Sequence, residues 1–152
     1  KLLILDVDGV MTDGGMTFTA KGDEVKRFNT KDGMGILKLN DTEVELGIIS
    51  SGFSTQIVEN RAKMLHIENC YVGRKAKMSV LRSWIVEKGL KLEQVAMIGD
   101  DINDREIMLG VGIAACPADA VDEIKSIAHV VLKNKGGEGC IREFIDNYLQ
   151  IG

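Results

Sequence analysis

The sequence predicts an α/β fold in which a parallel β-sheet carries helices on both faces. Short apolar runs alternate with amphipathic segments, the 152 residues include one proline, and several apolar runs end in acidic or hydroxyl side chains. The first run, Leu2–Leu5, has four consecutive apolar residues, which is typical of a central strand covered on both faces. The length suits one domain, and we expect it to span residues 1–152.

The N-terminal third of the chain predicts a strand, a hairpin and a helix. After an acidic turn at Asp6 and Asp8, residues 16–19 and 24–28 flank a polar turn that contains glycine, and this pattern predicts a β-hairpin. Residues 29–32 offer helix-capping side chains before a helix over residues 33–40, and Asp32 is either a cap or a contact to a ligand. Val44 and residues 46–49 predict a second buried strand, which ends at Ser50.

The remaining chain alternates helices with short strands. Helices are predicted from Ser54, over residues 76–88 and over residues 119–125, and strands over residues 70–72, 95–98, 111–115 and 129–132. A glycine-rich loop at residues 136–139 precedes the last helix, over residues 140–149. Such alternation is the pattern of a parallel α/β sheet.

Composition restricts the class of partner. With 23 acidic and 19 basic residues the net charge is −4, and no run of Lys or Arg forms a basic patch, which argues against nucleic acid and anionic membrane as partners. The three cysteines lack CxxC spacing and indicate a reduced, cytoplasmic protein. No apolar run approaches the length of about 20 residues that a membrane helix needs.

Polar side chains follow three of the predicted strands at the point where each strand ends. Because the carboxyl ends of parallel strands share one edge of the sheet, we expect these side chains to converge on one crevice. A single acidic turn would be equally consistent with a solvated loop, but so many carboxylates in one crevice require a cation, and Mg²⁺ suits them. The set consists of Asp6, Asp8, Ser50, Ser51, Asp100, Asp101 and Asp104.

These residue types support phosphoryl transfer. An ionised Asp6 at the end of the first strand could attack a metal-bound phosphate, and Asp8 could protonate the leaving oxygen and later activate water. Lys77, at the start of a helix, and Ser50 are placed to hold phosphate oxygens. Gly137 and its neighbours could cradle an anion through backbone N–H groups, with Arg142 binding a carboxylate, although the same loop could simply precede a helix cap.

The order of four motifs resembles the haloacid dehalogenase superfamily of phosphatases. The motifs are DVDGVMTD, the apolar run into Ser50, Lys77 at a helix start, and GDDIND. This resemblance implies a Rossmann-like domain with Asp6 as nucleophile and Asp8 as acid and base. It also implies a metal held by Asp6, Asp100 and the backbone of Asp8, with Asp101 and Asp104 as supporting acids.

Further segments resemble the subgroup of 3-deoxy-D-manno-octulosonate 8-phosphate phosphatases, which lack a cap domain. They are TDGG, the hairpin, FNTKDGMGI, NRAKML and GGEGCIREF. The resemblance implies a phosphorylated sugar acid as substrate and a homotetramer. Where the subgroup usually reads T-G-R, this chain reads Ser50, Ser51, Gly52 and Phe53, so the phosphate-holding hydroxyl is either Ser50 or Ser51 and a basic side chain is lost.

Three alternatives remain. The substrate could be a nonulosonate 9-phosphate, and the domain could be the C-terminal assembly or phosphatase domain of an acylneuraminate cytidylyltransferase. A phospho-receiver domain has similar residue types but places its lysine last, whereas Lys77 precedes the terminal acids. The segments between Asp13, Ser50 and Lys77 are too short for a cap, so we expect neighbouring subunits to cover the site and stabilise the short hairpin.

Overall fold

The computed structural model describes residues 1–149, which form a six-stranded parallel sheet and a separate two-stranded antiparallel hairpin. The strands are β1 (Leu2–Leu5), β2 (Thr17–Phe18), β3 (Glu24–Val25), β4 (Glu45–Ser50), β5 (Asn69–Val72), β6 (Val95–Ile98), β7 (Ile113–Cys116) and β8 (Val130–Val131). The parallel sheet has the order β5-β4-β1-β6-β7-β8, and β2 and β3 form the hairpin. The predicted fold class and hairpin are confirmed, while the last three residues of the predicted domain lie outside the described residues.

Helices cover both faces of the parallel sheet. They are α1 (Thr30–Lys38), α2 (Thr55–Met64), α3 (Lys77–Lys88), α4 (Arg105–Gly110), α5 (Asp122–Ile127) and α6 (Cys140–Tyr148). Side chains of α1, α2 and α6 pack with Leu3 and Leu5 in one apolar cluster, whereas α3, α4 and α5 pack with Leu2 and Ile4 in the other. Successive residues of β1 therefore serve opposite layers, as the two-residue period of a strand requires.

The register places the ends of the central strands side by side. Leu5 pairs with Ile48 on one side and with Ile98 on the other, so β1, β4 and β6 end within a few residues of one level. The chain segments that follow these strands therefore emerge at one edge of the sheet. No helix among residues 1–149 is both long enough and apolar enough to cross a membrane.

Two helices differ from their predicted bounds by more than one residue, and one was not predicted. Helix α1 begins three residues early because the Asn29 side chain accepts the N–H groups of Lys31 and Asp32, which fixes the first turn. Helix α5 runs over Asp122–Ile127 instead of residues 119–125. The apolar residues of the six-residue helix α4 are consecutive, at positions 107–109, so they display no helical period.

Candidate active site

Asp6 is fixed at the end of β1 by the backbone on both sides. Its N–H donates to the carbonyl of Ile98 at 3.2 Å, which ties the residue to the end of β6. The following turn is held by Thr12, whose hydroxyl accepts the N–H of Gly9 at 3.3 Å. Gly9 has a φ of +89°, and a Cβ there would lie 1.8 Å from Asp100 Oδ2, so only glycine fits between the two acidic loops. The chain thus holds the Asp6 carboxylate buried and in a fixed position.

One lysine neutralises two buried carboxylates at this edge. Lys77, the first residue of α3, places Nζ 2.9 Å from Asp6 Oδ1 and 2.7 Å from Asp104 Oδ1. All three side chains are at least nine-tenths buried. Asp104 Oδ2 accepts the N–H groups of Asp100 at 2.9 Å and Asp101 at 3.4 Å, so both oxygens of Asp104 are engaged. Asp104 therefore organises the acidic loop and aims Lys77 at Asp6.

The pKa shifts of the buried side chains reflect an excess of negative charge in the cluster. Burial raises the pKa of Asp6, and the neighbouring Asp104 raises it further against the opposing effect of Lys77. Burial and the charges of Asp104 and Asp101 raise the pKa of Asp100 to about 6, although hydrogen bonding to Asp6 opposes them. Burial lowers the pKa of Lys77, but its two carboxylate partners outweigh burial and raise it overall. The single positive charge of Lys77 does not balance the three carboxyl groups, whereas an additional bound cation would.

The geometry fits a divalent cation. Carboxylate oxygens of Asp6, Asp100 and Asp104 all lie within 4.8 Å of one another. Asp100 Oδ1 is buried without a hydrogen-bond partner among the described residues, so this oxygen is free to bind a cation. Since both oxygens of Asp104 are engaged, Asp6 and Asp100 are the two carboxylates available to a metal, and hard oxygen donors of this kind suit Mg²⁺.

Asp8 contacts the hairpin instead of the buried cluster. Its Oδ1 lies 2.6 Å from Lys26 Nζ, and the same nitrogen lies 2.7 Å from Glu24 Oε1. Glu24 in turn accepts a hydrogen bond from the Ser54 hydroxyl. The Lys26 side chain is only 4% exposed, so this network buries a charge between the turn after β1 and the hairpin. Sequence reasoning missed Lys26, and its only local signal is the two-residue spacing that puts Glu24 and Lys26 on one face of a strand.

The structure brings most of the predicted site residues to one cavity of about 260 Å³. Ser50 is buried and its Oγ accepts the Gly52 N–H at 3.2 Å, whereas the half-buried Ser51 accepts a bond from Asn103 at 3.3 Å. Asn103, Phe53 and Met16 were not predicted as lining residues. The cavity is lined by Asp6, Asp8, Met16, Ser50, Ser51, Gly52, Phe53, Asp100, Asp101 and Asn103.

Asp32, Gly137 and Arg142 do not line this cavity. Asp32 is buried at the N-terminus of α6, where its Oδ1 accepts the Arg142 N–H at 2.9 Å. Burial raises the pKa of Asp32, while hydrogen bonds from the backbone of α6 and the residue before it oppose that shift. The Arg142 guanidinium donates to Asp146 at 2.7 Å, and the Gly137 N–H donates to the carbonyl of Val10 at 3.0 Å. The Asp32 carboxylate of α1 thus accepts hydrogen bonds from backbone N–H groups in the first turn of α6, which have no acceptor within their own helix.

The fold and site define a class. A parallel sheet whose first strand ends in a buried aspartate, with a helix-borne lysine and a second acidic loop beside it, is the arrangement of the haloacid dehalogenase hydrolases. The chain belongs to the haloacid dehalogenase-like hydrolase family, whose model matches residues 49–144. The predicted family is confirmed.

Named relatives are similar over nearly the whole chain. The 3-deoxy-D-manno-octulosonate 8-phosphate phosphatase of Yersinia pestis is 39% identical over 96% of this chain and 78% of its own length. The Moraxella catarrhalis phosphatase of that name, in a crystal structure with magnesium, phosphate and KDO, is 29% identical with a TM-score of 0.92, covering 96% of this chain and 83% of that one. A cobalt-bound form from Haemophilus influenzae is 34% identical with a TM-score of 0.90, covering 96% and 85%.

Proposed function

We propose that this chain is a Mg²⁺-dependent phosphatase that hydrolyses 3-deoxy-D-manno-octulosonate 8-phosphate to the free sugar acid and phosphate. The observation that carries the proposal is the buried Asp6 carboxylate, held by Lys77 at the end of the central strand beside a cavity with unused carboxylate oxygens. The octulosonate 8-phosphate phosphatases of Yersinia pestis and Haemophilus influenzae, which align over nearly the whole chain, support the choice of substrate.

The metal would be held by the carboxylates of Asp6 and Asp100 and by the backbone carbonyl of Asp8. When bound, Mg²⁺ offsets the repulsion between the Asp6 carboxylate and the phosphate dianion. Lys77 Nζ, between Asp6 and Asp104, is within reach of a phosphate oxygen that approaches Asp6. Ser50 and Ser51 supply hydroxyl groups to the same cavity, which Asp101 also lines, and Asp104 supports the site from below through Lys77 and the Asp100 N–H.

The reaction proceeds in two steps. In the first, an Asp6 oxygen attacks phosphorus and the ester P–O bond breaks. The leaving sugar oxygen keeps the electron pair of that bond and receives a proton from the protonated Asp8 side chain. In the second, Asp8 removes a proton from water, whose oxygen attacks the phosphorus of the aspartyl-phosphate. The acyl P–O bond then breaks, so that Asp6 is regenerated and phosphate leaves.

We further propose that the chain is a single catalytic domain that works as a cytoplasmic homotetramer. The hairpin exposes apolar side chains, with Met16 65%, Phe18 54% and Val25 50% exposed, and strands of two residues need packing partners. Packing of neighbouring hairpins would cover these side chains and close the cavity that Met16 lines. Light scattering at micromolar concentration should give the mass of four chains, and a monomer would contradict the assembly.

The test of function is a substrate panel. With Mg²⁺ present, kcat/KM is measured for the octulosonate 8-phosphate, a nonulosonate 9-phosphate, glucose 6-phosphate and p-nitrophenyl phosphate. We expect the octulosonate ester to be the best substrate and Asp6→Asn to abolish turnover in a folded protein, because an amide cannot attack phosphorus. Equal or better turnover of glucose 6-phosphate would overturn the sugar-acid assignment, and an active Asp6→Asn enzyme would overturn the mechanism.

A further inference from the structure

A substrate with two anionic ends needs a second cation at the site. The proposed octulosonate ester carries a phosphate at one end and a carboxylate at the other, and Lys77 lies beside Asp6 at the phosphate end. A cation that contacts the carboxylate would separate sugar acids from neutral sugar phosphates, because charge-assisted hydrogen bonds are the strong ones. Such a cation must lie at the rim of the cavity and have no carboxylate partner within the protein.

Most cationic side chains near the site already have carboxylate partners. Among residues 1–149, three cations contact the cavity lining through an ion pair or an aromatic ring, namely Lys77, Lys26 and Arg74. Lys77 and Lys26 are buried and each is shared by two carboxylates. Arg142, the cation that the sequence suggested, pairs with Asp146. Arg74 makes no ion pair within the part of the chain that the structure describes.

One contact of the preceding residue and one of its own side chain place Arg74 beside the lining of the cavity. It follows Gly73, whose N–H donates to the carbonyl of Ser50 at 3.0 Å, so the loop after β5 is tied to the end of β4. Its guanidinium carbon lies 4.1 Å from the centroid of the Phe53 ring, and Phe53 lines the cavity. A guanidinium stacked on a ring keeps the N–H donors along its edge free for a planar carboxylate.

The stacking of Arg74 on Phe53 accounts for the exposed position of the Phe53 ring. Phe53 is 77% exposed, although a large apolar ring at the rim of a polar cavity gains little from burial there. As the surface on which Arg74 lies, the ring restricts a long side chain to one region and so lowers the entropy lost when it binds an anion.

We propose that Arg74, held on the ring of Phe53, binds the carboxylate of the substrate and so determines specificity for sugar acids, an inference that rests on the function proposed above. The phosphate end lies at Asp6 and the carboxylate end at Arg74, and both Asp6 and Phe53 line the same cavity. Arg74 is thus a specificity residue that takes no part in the transfer of the phosphoryl group.

The test compares substrates with and without a carboxylate. For Arg74→Met we expect KM for octulosonate 8-phosphate to rise about tenfold or more with kcat little changed, since a hydrogen bond to a charged group is worth about 1.5–3 kcal/mol. Turnover of p-nitrophenyl phosphate should stay within about twofold. Arg74→Lys should restore part of the loss, and Phe53→Leu should raise KM by about threefold, the loss expected for an exposed cation–π contact. Lys75→Met, which removes the neighbouring exposed cation, is the matched control.

The wild-type substrate preference tests the proposed function, and the Arg74 variants test the carboxylate contact. If the wild-type protein does not prefer the sugar-acid ester, the proposed function fails and this inference fails with it. If the wild type prefers that ester but Arg74→Met does not raise its KM, the inference alone is wrong. A rise for p-nitrophenyl phosphate of the same size would reduce Arg74 to a structural role, and a loss seen with Arg142→Ala instead would return the carboxylate contact to α6.

Discussion

Removal of the Lys77 charge should destabilise the protein more than any exposed lysine can. In Lys77→Met, the buried carboxylates of Asp6 and Asp104, 7% and 0% exposed at the side chain, lose their shared cation. Breaking a buried ion pair by removing one partner costs about 3–5 kcal/mol. For a chain of this size, each kcal/mol shifts the melting temperature by about 2–4 °C, so we expect a loss of about 6–20 °C.

The assay is thermal and urea unfolding of the metal-free protein at neutral pH. Lys75→Met, on the exposed loop before α3, is the control and should change stability by less than about 0.5 kcal/mol. Mg²⁺ should restore part of the stability of Lys77→Met, because it supplies positive charge to Asp6. The double variant Lys77→Met with Asp104→Asn should be more stable than Lys77→Met alone, since one of the two unpaired charges is gone.

The pH dependence has a definite sign. Without Lys77 the pKa of Asp6 rises further above its value in the unfolded chain, so the loss of stability is largest at neutral pH and shrinks as the pH falls and this carboxyl is protonated. A Lys77→Met protein whose unfolding free energy lies within about 0.5 kcal/mol of the wild type at neutral pH would refute this account of the site.

Three further outcomes follow from named contacts. Lys26→Met should lower kcat for every phosphate ester to a similar extent, because Asp8 loses its only ion-pair partner among the described residues, and Lys26→Arg should recover part of it in steady-state assays. Since burial raises the pKa of both Asp6 and Asp100, that of Asp100 to about 6, and a ligand must be ionised, Mg²⁺ affinity by calorimetry should weaken as the pH falls through about 6. Gly136→Ala should cost about 1–3 kcal/mol in urea unfolding, because its Cβ would lie 1.8 Å from the Gly9 carbonyl oxygen.

The parts of the fold and site that the sequence predicted are those with a local signal. A continuous apolar run such as Leu2–Leu5 identifies a strand covered on both faces, and the residue at which the run stops identifies the edge of the sheet. Parallel topology then brings Asp6, Ser50 and Asp100 to one cavity without further information. The short helix α4 lacked such a signal because its three apolar residues are consecutive and display no helical period.

The contacts that could not be predicted join residues far apart in sequence. Asp32 and Arg142 both carry chemistry that suits a ligand, and only the packing of α1 against α6 shows that one meets the backbone of the other. Likewise, nothing near Lys26 indicates that the hairpin folds back onto Asp8, 18 residues earlier. Periodicity specifies which face of an element is buried, but the identity of the partner depends on tertiary packing.

The Lys26 network connects the stability of the hairpin to the geometry of the catalytic turn. Two strands of two residues each have little stability of their own, and the charge of Lys26 is compensated only while Asp8 and Glu24 stay in place. Coupling between two such elements is reciprocal, so whatever fixes the hairpin also fixes Asp8, and whatever displaces Asp8 loosens the hairpin. In the proposed homotetramer, packing of the exposed Met16, Phe18 and Val25 against a neighbouring subunit would therefore hold the acid and base of the reaction in position as well as cover the cavity.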